Sequence, residues 1–358
     1  MSPRSSIASW RAVADAETSR RHTRVLTGIS LDKIHATALV EAGEPVILRG
    51  AASDWPLVRA GRESAAAAIE ILKTHDAGLA AVAYVGDPSI RGRYHYNADA
   101  TGMNFSTERA TLSAFLDRLL ATRDDPAAAS LYIGSTDLDT YLPGLRATHA
   151  IDPADGSFVD HLPVASIWIG NRTVASTHWD MSNNIAVCVA GRRRFTLFPP
   201  DQVANLYPGP IEPTPAGQIV SMVDPAKPDL DRYPRFADAL RACEVASLEP
   251  GDVLIYPALW WHNVEAIDDF NILINYWWNA APAFLDTPMT TLLHALLSLR
   301  DRPPHEKAAW RSMFDHYIFG PPETAAAHLP ETARGPLAPL DPIIARRLRA
   351  LIANRLNR

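Results

Sequence analysis

His178 and Asp180 stand two residues apart in Thr177-His178-Trp179-Asp180, within a stretch that reads as a β-strand. Residues i and i+2 of a strand face the same side, so one imidazole and one carboxylate converge on one point. A metal site needs a third ligand, and His262 is the best candidate. It stands in Pro257-Ala258-Leu259-Trp260-Trp261-His262-Asn263-Val264, just after the apolar run Val253 to Tyr256. Two histidines and one carboxylate on one face of a metal, with positions left open, are the donor set of a non-haem Fe(II) centre. Each part alone is commonplace. His-x-Asp recurs by chance, and a histidine after two tryptophans ordinarily packs in a core. The inference rests on the parts occurring together, in an order that strands can bring to one place. A zinc hydrolase is the competing metal reading, since three ligands and an open position also suit zinc.

A cation is the second requirement. Fe(II) oxygenases of this kind take 2-oxoglutarate, whose far carboxylate needs a positive partner. Arg193 lies in Gly191-Arg192-Arg193-Arg194-Phe195-Thr196-Leu197-Phe198. Strand alternation puts Arg193, Phe195 and Leu197 on one face and Arg192, Arg194 and Thr196 on the other. A guanidinium grips a carboxylate bidentately. Taken alone, the segment reads as a solvated basic hairpin tip. Asn184 and Asn275 lie in otherwise apolar strands, where a buried amide needs partners. A bound dicarboxylate or a metal-bound water would supply them; a strand-end or turn asparagine is the plainer reading.

Together, His178 to Asp180, Gly191 to Asp201 (GRRRFTLFPPD), Tyr207-Pro208, Pro250 to Glu265 (PGDVLIYPALWWHNVE) and the closing run Ile272 to Trp277 carry a resemblance. The chain resembles the JmjC-type, cupin-like Fe(II)/2-oxoglutarate oxygenases. It looks most like the branch containing the asparagine hydroxylase that acts on hypoxia-inducible factor. The resemblance runs from about Leu131 to Trp278. It implies a double-stranded β-helix (jelly-roll, cupin) barrel, with Fe(II) bound by His178, Asp180 and His262. By position, it gives Arg193 the part of the family's lysine that grips 2-oxoglutarate, and Tyr132 that of a hydroxyl meeting the same carboxylate. Asn184 and Asn275 match asparagines near cosubstrate and metal, and Trp277 matches an aromatic residue close to the site. Trp179 joins Trp277 as an expected wall of the substrate pocket.

Two departures from the family pattern stand out. Arginine replaces the usual lysine at 193, which keeps the charge but changes reach and shape. Ala175 stands three residues before His178, where the family commonly has Ser or Thr. Ser176 or Thr177 is the expected substitute, so Thr177 counts among the expected cosubstrate-binding residues. The implied reaction hydroxylates a C–H bond, consuming 2-oxoglutarate and O2 and releasing succinate and CO2. The expected substrate is a protein or peptide side chain, with a small molecule as the alternative. From another class comes the reading of a non-catalytic cupin that only binds a ligand.

Several elements must position these residues. Short apolar runs follow one another from about Leu131: Leu131 to Ile133, Ala165 to Ile169, Ile185 to Val189, Phe195 to Phe198, Val253 to Tyr256 and Ile272 to Trp278. Gly, Pro, Asn and Asp separate them, as in a multi-stranded sandwich or barrel. Val189-Ala190-Gly191-Arg192 reads as a hairpin turn, and Glu249-Pro250-Gly251-Asp252 as a turn entering the next strand. Helices are expected from about Glu63 to Leu72 and from Thr111 to Leu120. The fold class is therefore mainly β with flanking helices. Residues 1–130 form an N-terminal support of helices and strands, and 131–281 the core. An insertion at 199–248, with a helix near Arg235 to Ala242, caps or lines one mouth. Residues 282–358 form a C-terminal helical region. There Thr287-Pro288 and Asp341-Pro342 open helices. The last helix, with an apolar stripe of Ile344, Leu348, Leu351 and Ile352, is a candidate homodimer seam.

Composition sets outer bounds. At 358 residues, 47% hydrophobic and 21% charged, the chain has the make-up of a soluble globular protein. A formal charge of −6 argues against broad nucleic-acid binding. No apolar run reaches the roughly 18–20 residues of a spanning helix. Cys188 and Cys243 make neither a disulfide framework nor a zinc cluster. The opening MSPRSSIASWRAVADAETSRR lacks the apolar stretch of a secretory signal, so the cytoplasm is the expected compartment. Asp152, Asp155 and Asp160 are expected as solvated loop charge that biases the mouth towards basic or neutral partners.

Overall fold

Strands form wherever apolar residues alternate with polar or small ones, because a pleated strand presents successive side chains to opposite faces. The computed structural model describes residues 21–357 apart from 126, 160, 161, 216 and 280. The first 20 residues and Asp160 therefore lie outside the described residues. The strands in chain order are β1 (Arg21–His22), β2 (Arg24–Thr27), β3 (Val46–Arg49), β4 (Ala80–Gly86), β5 (Arg93–Tyr94), β6 (Phe105–Thr111), β7 (Ser130–Asp137) and β8 (Val164–Gly170). There follow β9 (Val174–Trp179), β10 (Asn183–Ala190), β11 (Arg193–Phe198), β12 (Glu244–Leu248), β13 (Val253–Tyr256), β14 (Trp261–Ala266) and β15 (Asn271–Trp278).

They make two mixed sheets. The six-stranded sheet runs β1-β12-β11-β14-β9-β5 and the nine-stranded sheet β2-β3-β13-β10-β15-β8-β7-β4-β6. The alternation of β10 and β15 decides what lies on each side of the larger sheet. Ile185, Val187, Ile272, Ile274 and Tyr276 face an outer core shared with the N-terminal helices, where Ile69, Leu72, Phe115 and Leu116 are also buried. Each such side chain contributes about 1.5–3 kcal/mol by leaving water. The opposite face carries Ala186, Cys188 and Leu273. These pack with Phe195, Leu197, Ala246 and Val264 of the six-stranded sheet. The two sheets thus enclose a common interior, a mainly β, cupin-like architecture with flanking helices.

The expected helices form at Ala65–His75 and Leu112–Ala121, each with the hydroxyl before it as N-cap. Ser64 accepts from the amide of Ala67, and Thr111 from that of Ala114.

The turn at Gly191 differs from expectation. β10 and β11 are not hairpin partners: β10 pairs with β13 and β15, whereas β11 pairs with β12 and β14. The turn carries the chain from one sheet to the other. Gly191 has φ 68°, and a Cβ there would lie 2.3 Å from Oδ1 of Asn271. Only glycine suits both conditions. Residues 244–248 at the end of the expected insertion form β12, a strand of the core sheet.

The chain divides into two compact units between residues 279 and 280. The second contains the helices Pro288–Ser298, Pro304–Phe314 and Pro342–Leu356. Thr287 and Asp341 cap the first and last of these, as their placement before proline implies. No described helix is long and apolar enough to cross a membrane.

Candidate metal centre

β9 and β14 are antiparallel neighbours, and their register sets His178 directly opposite His262. The two imidazole centroids are 4.3 Å apart. Asp180, two residues beyond His178, brings Oδ2 to 3.6 Å from Nε2 of His262. Ligand atoms of His178, Asp180 and His262 all lie within 4.8 Å of one another. His178 and His262 are only 8% and 2% exposed.

The backbone sets the tautomers. Nδ1 of His178 meets the carbonyl of Ser176 at 2.7 Å, and Nδ1 of His262 meets that of Trp260 at 3.0 Å. A carbonyl only accepts, so each Nδ1 carries the proton and each Nε2 keeps its lone pair for a metal. Burial, reinforced by nearby His178, pushes the pKa of His262 well down against the opposing pull of Asp180. The ring stays neutral, as a ligand must be. Nε1 of Trp277 donates to Oδ2 of Asp180 at 3.2 Å and orients the carboxylate. The donor set therefore fits a divalent metal with open positions.

A β-bulge explains how Ala175 and His178 face the same interior at an odd spacing. Between the pairs Ala175–Val264 and His178–His262, two residues of β9, Ser176 and Thr177, oppose the single residue Asn263 of β14. Of the two expected substitutes, Ser176 lines the cavity but spends its hydroxyl on the backbone, and Thr177 does not line it. Ser176 Oγ donates to the carbonyl of Tyr94 at 2.7 Å. Thr177 is fully buried outside the cavity wall, its hydroxyl unpartnered among the described residues. Trp179 is also not brought to the site. It pairs with Trp261, ring centroids 6.4 Å apart, on the face away from His178, because it is one residue out of phase.

Arg193 faces the interior with Phe195 and Leu197, as alternation requires. It is 3% exposed, and its Nε and Nη2 find no acceptor among the described residues. Tyr132 and Cys188 are the groups acting on it electrostatically, while burial lowers its pKa. Tyr132 is held above the ordinary phenol range by burial, with Arg193 pulling the other way. A buried guanidinium without a carboxylate partner is costly and calls for an anion. Asn275 donates through Nδ2 to Oδ1 of Asn184 at 2.8 Å, and its own Oδ1 is buried and unpartnered. The orphaned N–H groups of Arg193 fit an anionic ligand beside the metal, whereas the amide oxygen of Asn275 calls for a donor such as a water.

A cavity of about 560 Å³ opens onto His178 and Asp180. Tyr132, Trp168 and Trp277 form part of its wall, and so do Tyr84, Tyr94 and Phe105 from β4, β5 and β6. These last three lie before residue 131, in the region read from sequence as support. Sequence reasoning missed them because their neighbourhood comes from the β4–β7 and β5–β9 pairings, which no local pattern announces. It also missed Tyr256, whose ring centroid is 5.0 Å from that of His262. Thr214, Pro215, Gln218 and Val220 of the insertion complete the wall, and Val220 bridges to His178. Asp155 is tied to Thr37 and Ser157 and is only half-exposed, rather than free at a mouth.

The model of the cupin-like domain matches residues 32–284. Among curated relatives, HSPB1-associated protein 1 of Bos taurus is 34% identical over 151 residues, 41% of this chain and 30% of that protein. Lysine-specific demethylase JMJ31 of Arabidopsis thaliana is 32% identical over 127 residues, 35% of this chain and 23% of that protein. tRNA wybutosine-synthesizing protein 5 of Mus musculus is 38% identical over 107 residues, 30% of this chain and 31% of that protein. The matched stretches span less than a third of these relatives' own lengths. They do not single out the asparagine-hydroxylase branch. Joined to the two-sheet fold, the match over most of the chain means that this protein belongs to the cupin-like domain family, with relatives of the JmjC type.

Proposed function

We propose that this chain is an Fe(II)- and 2-oxoglutarate-dependent oxygenase that hydroxylates a C–H bond of a protein or peptide side chain, releasing succinate and CO2. One observation carries the reading: Tyr132 feels both Asp180 of the His178–Asp180–His262 cluster and the buried guanidinium of Arg193, whose Nε and Nη2 find no partner among the described residues. Bound by the three side chains, Fe(II) with 2-oxoglutarate and O2 supplies the oxidising power for C–H hydroxylation.

The chain's own residues do the rest. The carbonyls of Ser176 and Trp260 hold each imidazole with Nε2 free, and Trp277 fixes the Asp180 carboxylate. Arg193 and Tyr132 anchor the distal carboxylate of the oxo acid, and the Asn184–Asn275 pair offers polar atoms on its flank. The aromatic wall excludes water and strengthens these polar interactions. The names of two relatives, HSPB1-associated protein 1 and a lysine-specific demethylase, support a protein substrate. The tRNA-modifying relative adds nucleic acid to the substrates worth screening, although the formal charge of −6 weighs against it.

A second copy of the chain is the proposed partner. Its support is the apolar surface left open in the C-terminal unit, where Leu297, Ile318 and Phe319 are 78%, 63% and 77% exposed.

Anaerobic titration of the metal-free protein with Fe(II), then 2-oxoglutarate, tests the activity. A weak visible charge-transfer band is expected only when protein, iron and oxo acid are all present, and Asp180→Ala should lack it. Iron failing to bind would sink the reading in favour of a ligand-binding cupin. Tight zinc without any response to 2-oxoglutarate would favour a different metalloenzyme.

A further inference from the structure

The interior holds a donor that the reading above leaves unused. Nε1 of Trp168 is buried and finds no acceptor among the described residues, like Nε and Nη2 of Arg193. A buried N–H without an acceptor is uncommon, because it forfeits its bond to water.

Trp168 lies on β8. Its neighbours Ile167 and Ile169 point into the outer core, so alternation sends Trp168 into the interior. Its ring is 6.0 Å from that of Tyr132 and 5.8 Å from that of Trp277. Packing fixes it there. Gly134 of β7 leaves the space it fills, since a Cβ on Gly134 would come within 2.8 Å of the Trp168 ring. Tyr132 is the common neighbour of Trp168, through its ring, and of Arg193, through charge. Ala175 lines the same cavity from β9 and has no donor to give.

We propose that the indole N–H of Trp168 binds the distal carboxylate of the oxo acid, completing a donor set with Arg193 and Tyr132; this rests on the 2-oxoglutarate reading above. The acceptor count supports it. A carboxylate presents about four lone-pair sites. The Nε–Nη2 edge of Arg193 takes two, the Tyr132 hydroxyl one and Trp168 the fourth. The indole adds a bond without adding charge, so one guanidinium still balances one carboxylate.

Zn(II)-substituted full-length protein with ¹⁵N-labelled indoles provides the test, titrated with 2-oxoglutarate and separately with 2-oxobutyrate. The second acid has the same chelating end but no distal carboxylate. The Trp168 indole proton, assigned by its loss in Trp168→Phe, should move downfield with 2-oxoglutarate and hold still with 2-oxobutyrate. By calorimetry, Trp168→Phe should raise the Kd for 2-oxoglutarate about tenfold, as for loss of one charge-assisted hydrogen bond. Its Kd for 2-oxobutyrate should not change. Adding Ala175→Thr to that variant should recover part of the loss by returning a donor from the facing strand. An unmoved indole resonance on saturation with 2-oxoglutarate, or equal loss for both acids, would overturn the role of Trp168 and leave the oxygenase reading standing. Failure of 2-oxoglutarate to bind the unaltered protein would overturn both.

Discussion

Arg193 shares a strand face with Phe195 and Leu197 and an electrostatic contact with Cys188, and its Nε and Nη2 find no partner among the described residues. Without ligand, that buried charge should weaken the fold; with a carboxylate beside it, the same charge should help. Replacing it with methionine separates the two. Arg193→Met is expected to raise the urea-unfolding stability of the ligand-free protein by about 1–3 kcal/mol. It should also abolish the extra stability that saturating 2-oxoglutarate gives the unaltered protein. Unfolding curves with and without the oxo acid check both, and a variant that still gains from the ligand would remove Arg193 from its site. His178, Asp180 and Arg193 were legible in the sequence because strand alternation alone sets which neighbours share a face. Trp179 and Thr177 were expected at the site from the resemblance, whereas alternation puts each one residue out of phase with His178. The bulge in β9 could not be seen, because a bulge is defined only against its partner strand.

At the level of elements, the turns and caps hold the site's strands in register. Gly191 turns the chain between sheets at φ 68°. Gly191→Ala should cost about 2–4 kcal/mol, from left-handed strain and from the contact a methyl would make with Asn271. A lowered urea midpoint would show it; an unchanged midpoint would mean that the Asn271–Phe270 loop moves aside freely. The helix Pro56–Glu63 has no side-chain cap from its own N-cap residue. Instead, Nε2 of His149 accepts from the Leu57 amide at 3.2 Å, while its Nδ1 donates to the carbonyl of Leu145 at 2.9 Å. Burial holds the pKa of His149 below the ordinary value of 6.5. The unfolded chain therefore binds the proton more readily, and this contribution to stability is full above about pH 6.5 and declines as pH falls below it. His149→Gln, which keeps an acceptor but does not titrate, should flatten the fall in unfolding free energy between about pH 7 and 5. An unchanged slope would assign that fall to other groups. Hydroxyl caps such as Ser64 and Thr111 can be read from sequence, whereas a histidine from a distant loop capping a helix cannot.

For the whole molecule, an open apolar surface lies in the C-terminal unit among the described residues. Its last helix leaves Leu351 and Ile352 45% and 50% exposed. If two copies bury these faces, Leu351→Lys with Ile352→Lys should halve the mass seen by sedimentation equilibrium and leave the far-ultraviolet dichroism unchanged. A monomeric unaltered protein would refute the seam.

The sequence by itself determined the fold class, most strands and the candidate cluster His178, Asp180 and His262. All of these follow from short-range periodicity and from the few residue types able to hold a metal. Tertiary structure alone decided which sheet each strand joins. It brought Tyr84, Tyr94 and Phe105 from the N-terminal region into the cavity wall. It also left Nε and Nη2 of Arg193 and Nε1 of Trp168 without acceptors among the described residues. The physical reason is that a periodic pattern says which way a side chain points, but only the packed chain says what it meets there and which of its hydrogen bonds go unmade.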